Sequence, residues 1–289
     1  MGVPLAGRLA AAGAEVVLPV RNDAKGRTAV DKILRETPHA RVSTRPLDLS
    51  SLASVAQLGA LLRDEGRPVH LLVNNAGVMT PPSRQVTEDG FELQLGTNHL
   101  GHAALVAHLL PLLRAGQGRV VSQISIAVRG SSTVWDDLQG ERSYDAMRLY
   151  RQSELALGLF GLELDRRSQA GGWGMTSNLS HPGVAPTSLL AARPELGRAA
   201  DSREARVIRA LSRRGVLAGT VESAPESALL AAIAPAAADG GQFFGPSGLG
   251  GTRGRPAPQP LWRPLRDRDD ARRLWELTEE LTGATFPSA

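Results

Sequence analysis

The chain has 289 residues, 42% of them hydrophobic, and its 33 Lys and Arg against 29 Asp and Glu give a formal net charge of +4. That length suits one large α/β core, read as a single domain over 1–289, and the absence of cysteine excludes disulfides and thiolate metal sites. No run approaches the ~18 apolar residues of a membrane span. The arginines are scattered among acidic neighbours, as in Arg266-Asp267-Arg268-Asp269-Asp270, and form no clustered face for nucleic acid. With no cysteine to oxidise, the cytoplasm is the expected location.

Apolar runs bounded by turn residues alternate with longer amphipathic stretches, which predicts β-α units winding a mostly parallel sheet. In chain order the pattern predicts a helix over 4–12, strands over 15–20 and 41–47, a helix over 52–63 and a strand over 70–74. A long helical stretch over 91–113, a strand over 119–125, a helix over 145–167 and a strand over 175–180 follow. The last elements are a helix over 221–233, a strand over 241–244 and a helix over 269–281. Two segments, charged 193–217 and Gly/Pro-rich 245–264, read as surface loops.

Four motifs stand out along this frame: Leu72-Val73-Asn74-Asn75-Ala76-Gly77, Asn98-His99-Leu100-Gly101-His102, Tyr150-Arg151-Gln152-Ser153-Glu154 and His181-Pro182-Gly183. In order and spacing they resemble the short-chain dehydrogenase/reductases, a resemblance that runs from Gly2 to about Thr187. Trp135-Asp136-Asp137-Leu138 is similar to the branch that holds retinol dehydrogenases and light-dependent protochlorophyllide reductases. The resemblance implies a Rossmann-like doubly wound parallel sheet, NADP as cofactor, a small-molecule substrate, and dimers or tetramers built through the helices of Asn98 and Tyr150.

The family opens with a strand and a Thr-Gly-x-x-x-Gly-x-Gly loop that receives the cofactor pyrophosphate. Gly2 matches the last of those glycines, so the sheet is expected to lack its first strand, with the start codon misplaced inside the loop. Arg21 and Asn22 follow the next strand, where the family fold meets the adenosine 2′ position. An arginine there attracts a 2′-phosphate that a carboxylate would repel, which points to NADP. Asp48-Leu49 matches the adenine-edge contact, although Asp48 also suits the start of the next helix with Ser50 or Ser51. Asn75, Ala76 and Gly77 imply close backbone approach to the ribose; Pro182, Gly183 and Thr187 resemble the segment that covers the nicotinamide.

By the same resemblance Tyr150 is the general acid or base at the carbinol oxygen, Ser125 holds that oxygen, and Asn98 anchors a water relay. The fourth member is lysine in the family and Glu154 here. One helical turn after Tyr150 it shares that residue's face, and an ionised carboxylate there raises a tyrosine pKa that lysine lowers. Proton transfer is expected to suffer, with Arg148 and Arg151 the nearby candidates for compensation. Ser122-Gln123-Ile124-Ser125 also departs from the family's usual Asn-Val-Ser-Ser. Among His99, His102 and His108 an i, i+3 pair shares a helix face, but no third ligand is apparent, so no metal site is assigned. Two readings result: an NADP-dependent oxidoreductase of a carbonyl or secondary alcohol on a small to medium apolar substrate, or an impaired relative serving as a nucleotide-binding or protein-interaction module.

Overall fold

The computed structural model describes residues 1–186, 189, 196, 197, 200, 201, 212 and 219–288. Thr187 and most of 193–217 lie outside them. The chain enters helix α1 (Gly2–Ala11) directly, and no strand precedes it among the described residues. It turns at Gly13, whose φ of +92° suits a residue without a Cβ, into β1 (Glu15–Val20). Helix α2 (Asp23–Glu36) then leads to β2 (Arg41–Pro46), which pairs with β1 in parallel, Glu15 opposite Arg41 and Val20 opposite Pro46. The sequence pattern did not predict α2: it buries only Gly26 and Ile33, too thin an apolar stripe to stand out.

Helix α3 (Leu52–Glu65) precedes β3 (Leu71–Asn74). The long helical stretch that follows divides into α4 (Leu93–Leu95), a π turn (Gly96–Leu100) and α5 (Gly101–Ala115). Next come β4 (Arg119–Gln123), α6 (Ala146–Gly171), β5 (Thr176–Ser180), α7 (Glu226–Ile233), β6 (Phe243–Pro246), β7 (Pro256–Pro258) and α8 (Arg268–Thr282). Strands β3 to β6 run parallel, and β7 closes the edge antiparallel to β6. The region of β7 was expected to be loop. Its prolines cannot donate to a ladder, and the sheet edge is where such a strand is tolerated.

The sheet is in two parts, β1–β2 and β3–β7, with no strand between β1 and β3 among the described residues. Helix α1 spans them. Leu5 packs with Val121, Ala228 and Phe244, joined by Leu71 and Val73, while Ala6 and Ala10 pack with Ile33 against Val16, Leu18 and Val42. Val16 to Leu18 and Leu71 to Val73 stay only half-buried, whereas β4 and β5 are buried almost throughout. On the far side of the larger sheet, α8 lies across α6, with the Trp275 ring stacked on Phe160 at 5.1 Å. Because β3, β4 and β5 run parallel, the segments after them emerge at one edge, the usual place for ligands in such sheets.

Candidate active site

Helix α6 starts where the Asp145 side chain accepts a hydrogen bond from the Arg148 N–H, and this cap fixes the first turns. Tyr150 and Glu154 follow one turn apart on its inward face, 3% and 8% exposed. Strand β4 ends at Gln123, two residues short of the predicted 119–125, and Ser125 follows it at the start of the next turn, where its side chain bears on Tyr150. The Ser125 hydroxyl accepts from the Ala127 N–H to begin a 3-10 turn over Ile126–Gly130. Ser125 and Glu154 both bear on the protonation of the Tyr150 hydroxyl, and Ser125 and Tyr150 on that of the Glu154 carboxyl.

Burial, and then Glu154, push the Tyr150 hydroxyl well above its ordinary value, while Ser125 acts in the opposite sense. Burial also pushes Glu154 from 4.5 up to about 8, against the lowering influence of Ser125 and Tyr150. The carboxyl is therefore mostly neutral at neutral pH, and the like-charge opposition expected from the sequence is weaker than a free carboxylate would exert. Neither arginine compensates. Arg148 pairs with Asp137 at 3.0 Å and also donates to the Ser143 carbonyl, and Arg151 is exposed.

Asn98 sits in the π turn, a local widening of the helix that often accompanies functional sites. Its Oδ1 accepts from the Val78 N–H at 2.8 Å, and its Nδ2 donates to the Val78 carbonyl at 2.9 Å and to Ser153 Oγ at 3.0 Å. Asn98 thus clips the loop after β3 to α6. Gly77 lies under this clip, where an added Cβ would stand 3.1 Å from Asn98 Oδ1. The Ala76 carbonyl meets His102 Nε2 at 2.8 Å, and His99 Nε2 meets Thr278 Oγ1 at 2.8 Å. These buried rings pin backbone and helix, and burial lowers them to about 3 for His99 and about 4 for His102.

Asn75 Oδ1 accepts from Gln123 Nε2 at 2.7 Å, and an added Cβ on Gly2 would lie 3.3 Å from Asn75 Nδ2. The first turn of α1 therefore rests on the ends of β3 and β4. Gln123 was noted in the sequence only as a departure; its bond to Asn75 depends on the pairing of β3 with β4. Its position at the end of the strand, two residues before Ser125, was the available signal. Ser153 was likewise missed, although it lies one turn from Tyr150.

The remaining positions divide. Arg21 is exposed at the end of β1, and Asn22 caps α2 by accepting from the Lys25 N–H. Asp48 Oδ1 accepts from the Ser50 N–H and hydroxyl, while Ser51 caps α3, so Asp48 shapes the turn before the helix. The Leu49 side chain is buried in the core, which leaves only its backbone to meet a ligand. Pro182 leads into Gly183, which has a φ of +72° and donates its N–H to His181 Nδ1. An added Cβ there would stand 2.3 Å from the Thr252 carbonyl, so only glycine fits. Trp135 and Trp262 serve as packing anchors: Trp135 Nε1 donates to Asp270, and Trp262 packs on His181 and Phe243.

Two features fit a nicotinamide nucleotide along this edge. The buried Gln123 Oε1 lacks a protein partner, and the N-terminus of α1, without a side-chain cap, approaches Asn75 through a glycine.

A family model described as short chain dehydrogenase matches residues 1–135. The chain is 38% identical to polyprenol dehydrogenase of Mus musculus over 98% of its own length and 81% of that protein. It is 37% identical to retinol dehydrogenase 13 of Homo sapiens over 100% and 83% of the two chains. Among solved structures, an uncharacterized protein from Mycobacterium Paratuberculosis superposes with a TM-score of 0.76 at 33% identity, covering 99% of this chain and 90% of that one. The actinorhodin polyketide ketoreductase, solved with NADPH, shares the fold at a TM-score of 0.61 and 22% identity over 84% and 89% of the chains.

Proposed function

The chain belongs to the short-chain dehydrogenase family, in its retinol dehydrogenase branch, and from that premise we propose that it reduces an apolar carbonyl, or oxidises the matching secondary alcohol, with NADP(H). The observation that carries the reading is the convergence of Ser125 and buried Tyr150 at the C-terminal edge of the sheet, where the serine side chain bears on the tyrosine hydroxyl. There a serine hydroxyl can hold a substrate oxygen while the tyrosine exchanges a proton with it. When bound, the nicotinamide supplies or accepts hydride at the substrate carbon.

The chain's own residues supply the rest. Asn98 fixes the loop carrying Ala76 and Gly77, so the backbone there is preorganised for a ribose. Gly2 and Asn75 lie where a pyrophosphate and its neighbouring ribose would be received, and Pro182 and Gly183 border the nicotinamide end. Arg21 favours NADP over NAD through its charge at the end of β1. The names of the two curated relatives, which specify a polyprenol and a retinol, support an apolar substrate. Turnover of NADPH across a panel of apolar aldehydes and ketones tests the proposal.

One observation favours a rival reading as a nucleotide-binding module without turnover. The hydroxyl that should serve the substrate has a buried carboxyl one helical turn away where the family has lysine, and that carboxyl raises it. NADPH binding with no reduction of any carbonyl would support that rival.

A further inference from the structure

The ends of β4 and β5 bury polar atoms that the fold leaves without partners. In β4, Val121 and Gln123 point to the same face, and Val121 packs with Leu5 of α1 and Phe244 of β6, so that face lies under α1. Parallel pairing sets Ser180 of β5 opposite Gln123 and Phe244 opposite Ser180, which places the Ser180 side chain beside Gln123 on this face. Gln123 is 8% exposed and Ser180 is buried. Gln123 Oε1 and Ser180 Oγ meet no hydrogen-bonding partner among the described residues. Folded chains seldom bury an acceptor and a hydroxyl in this way, because each loses water and gains nothing in return. A ligand hydroxyl answers both at once: its proton goes to the amide oxygen, and its oxygen accepts the serine proton.

The other end of the amide is committed. Gln123 Nε2 donates to Asn75 Oδ1 at 2.7 Å and lies 3.8 Å from Met1 Sδ, so it touches both the end of β3 and the start of α1. The bond to Asn75 orients the carboxamide and leaves Oε1 as the end that can accept. Two landmarks bracket that oxygen along the sheet edge. On one side the uncapped N-terminus of α1, where Gly2 approaches Asn75, suits a pyrophosphate. On the other, Ser125 follows two residues after Gln123 and marks, with buried Tyr150, the place where hydride is exchanged. In a nicotinamide dinucleotide the group between the pyrophosphate and the ring is a ribose, and it carries two neighbouring hydroxyls.

We infer that Gln123 and Ser180 form a hydrogen-bonding subsite for a hydroxyl of the nicotinamide-side ribose. The subsite rests on the oxidoreductase reading above and adds two residues to it. Gln123 stands where the family's usual Asn-Val-Ser-Ser has valine, which offers no hydrogen bond, so the contact belongs to this chain and not to the shared motif. Its effect is affinity for the half of the cofactor that reacts.

Calorimetry on the full chain with three probes tests this. NADPH and 2′-phospho-ADP-ribose carry the second ribose; adenosine 2′,5′-bisphosphate does not. Gln123→Met keeps the length of the side chain and removes the amide, and Ser180→Ala removes one hydroxyl. Gln123→Met should weaken NADPH and 2′-phospho-ADP-ribose by about tenfold each, the worth of one net hydrogen bond, and leave adenosine 2′,5′-bisphosphate unchanged. Ser180→Ala should weaken the same two probes by about threefold or more. Without ligand, the urea midpoint of Ser180→Ala should not fall, since that hydroxyl has no partner to lose, whereas a serine with a purely structural role would lower it. Unchanged NADPH affinity in both variants overturns the subsite, and so does an equal weakening of all three probes, which marks a general distortion. If Gln123→Met does not fold, Ser180→Ala decides by the same criteria. A wild type that binds none of the probes defeats the nucleotide reading and the subsite with it; a wild type that binds all three, with variants that match it, overturns the subsite alone.

Discussion

Replacing Glu154 with Gln should stabilise the fold, and by an amount that grows with pH. Burial raises the carboxyl from 4.5 to about 8, so between those values the folded chain keeps a proton that the unfolded chain releases. For an acid raised in this way, stability is fully present below the unfolded pKa and is lost as pH rises through the folded one. At about 1.4 kcal/mol per unit, the loss between about pH 5 and about pH 8 comes to roughly 3–4 kcal/mol. Glutamine is nearly isosteric and does not titrate. Other buried groups, including Glu92, Asp165, His99 and His102, titrate equally in both proteins and cancel in the difference. Urea denaturation of the two proteins at both pH values measures the gap. A gap that stays constant with pH would mean that Glu154 ionises in the fold as it does in water, and the reasoning would be refuted.

Three further outcomes follow from the same structure. His102, lowered by burial to about 4, should cost stability as pH falls below its unfolded value of 6.5. His102→Gln should therefore narrow the acid loss by roughly 2 kcal/mol at about pH 5, and an acid loss identical in both proteins contradicts its burial as the neutral ring. Arg21→Asp should weaken NADPH binding by on the order of 1.5–3 kcal/mol while sparing NADH, as read by calorimetry; an unchanged ratio removes Arg21 from the site. Trp275 is 1% exposed and stacks on Phe160. Trp275→Ala should cost about 3–5 kcal/mol in chemical denaturation, and a loss under about 1 kcal/mol would show that α8 is not anchored there.

Much of the frame was legible in the sequence because buried strands leave dense apolar runs. Val120 and Val121 stand out between turn residues for this reason, and Val16 to Leu18, though only half-buried, stand out as an unbroken apolar run. Helix α2 was not legible, since one buried Ile33 leaves no stripe, and β7 was hidden by prolines that only an edge tolerates. At the site, motif order located Ser125, Tyr150 and Glu154, but not what joins them. The Asn75–Gln123 bond needs the register of β3 with β4, and the Asn98–Ser153 bond needs the packing of the π turn on α6. The sign of Glu154's effect on Tyr150 was legible from their spacing, but the protonation of Glu154 itself was not. That state depends on burial, which no spacing of residues reports.

The central claim is that Tyr150 protonates a substrate oxygen in this chain. It is tested most directly by single-turnover reduction of an apolar carbonyl with NADPH, comparing the wild type with Tyr150→Phe at neutral pH. The account predicts alcohol formation by the wild type and a loss of at least about a hundredfold in Tyr150→Phe, whose ring packs alike but has no proton to give. Equal rates in the two proteins, or NADPH bound by both with no alcohol from either, would contradict it.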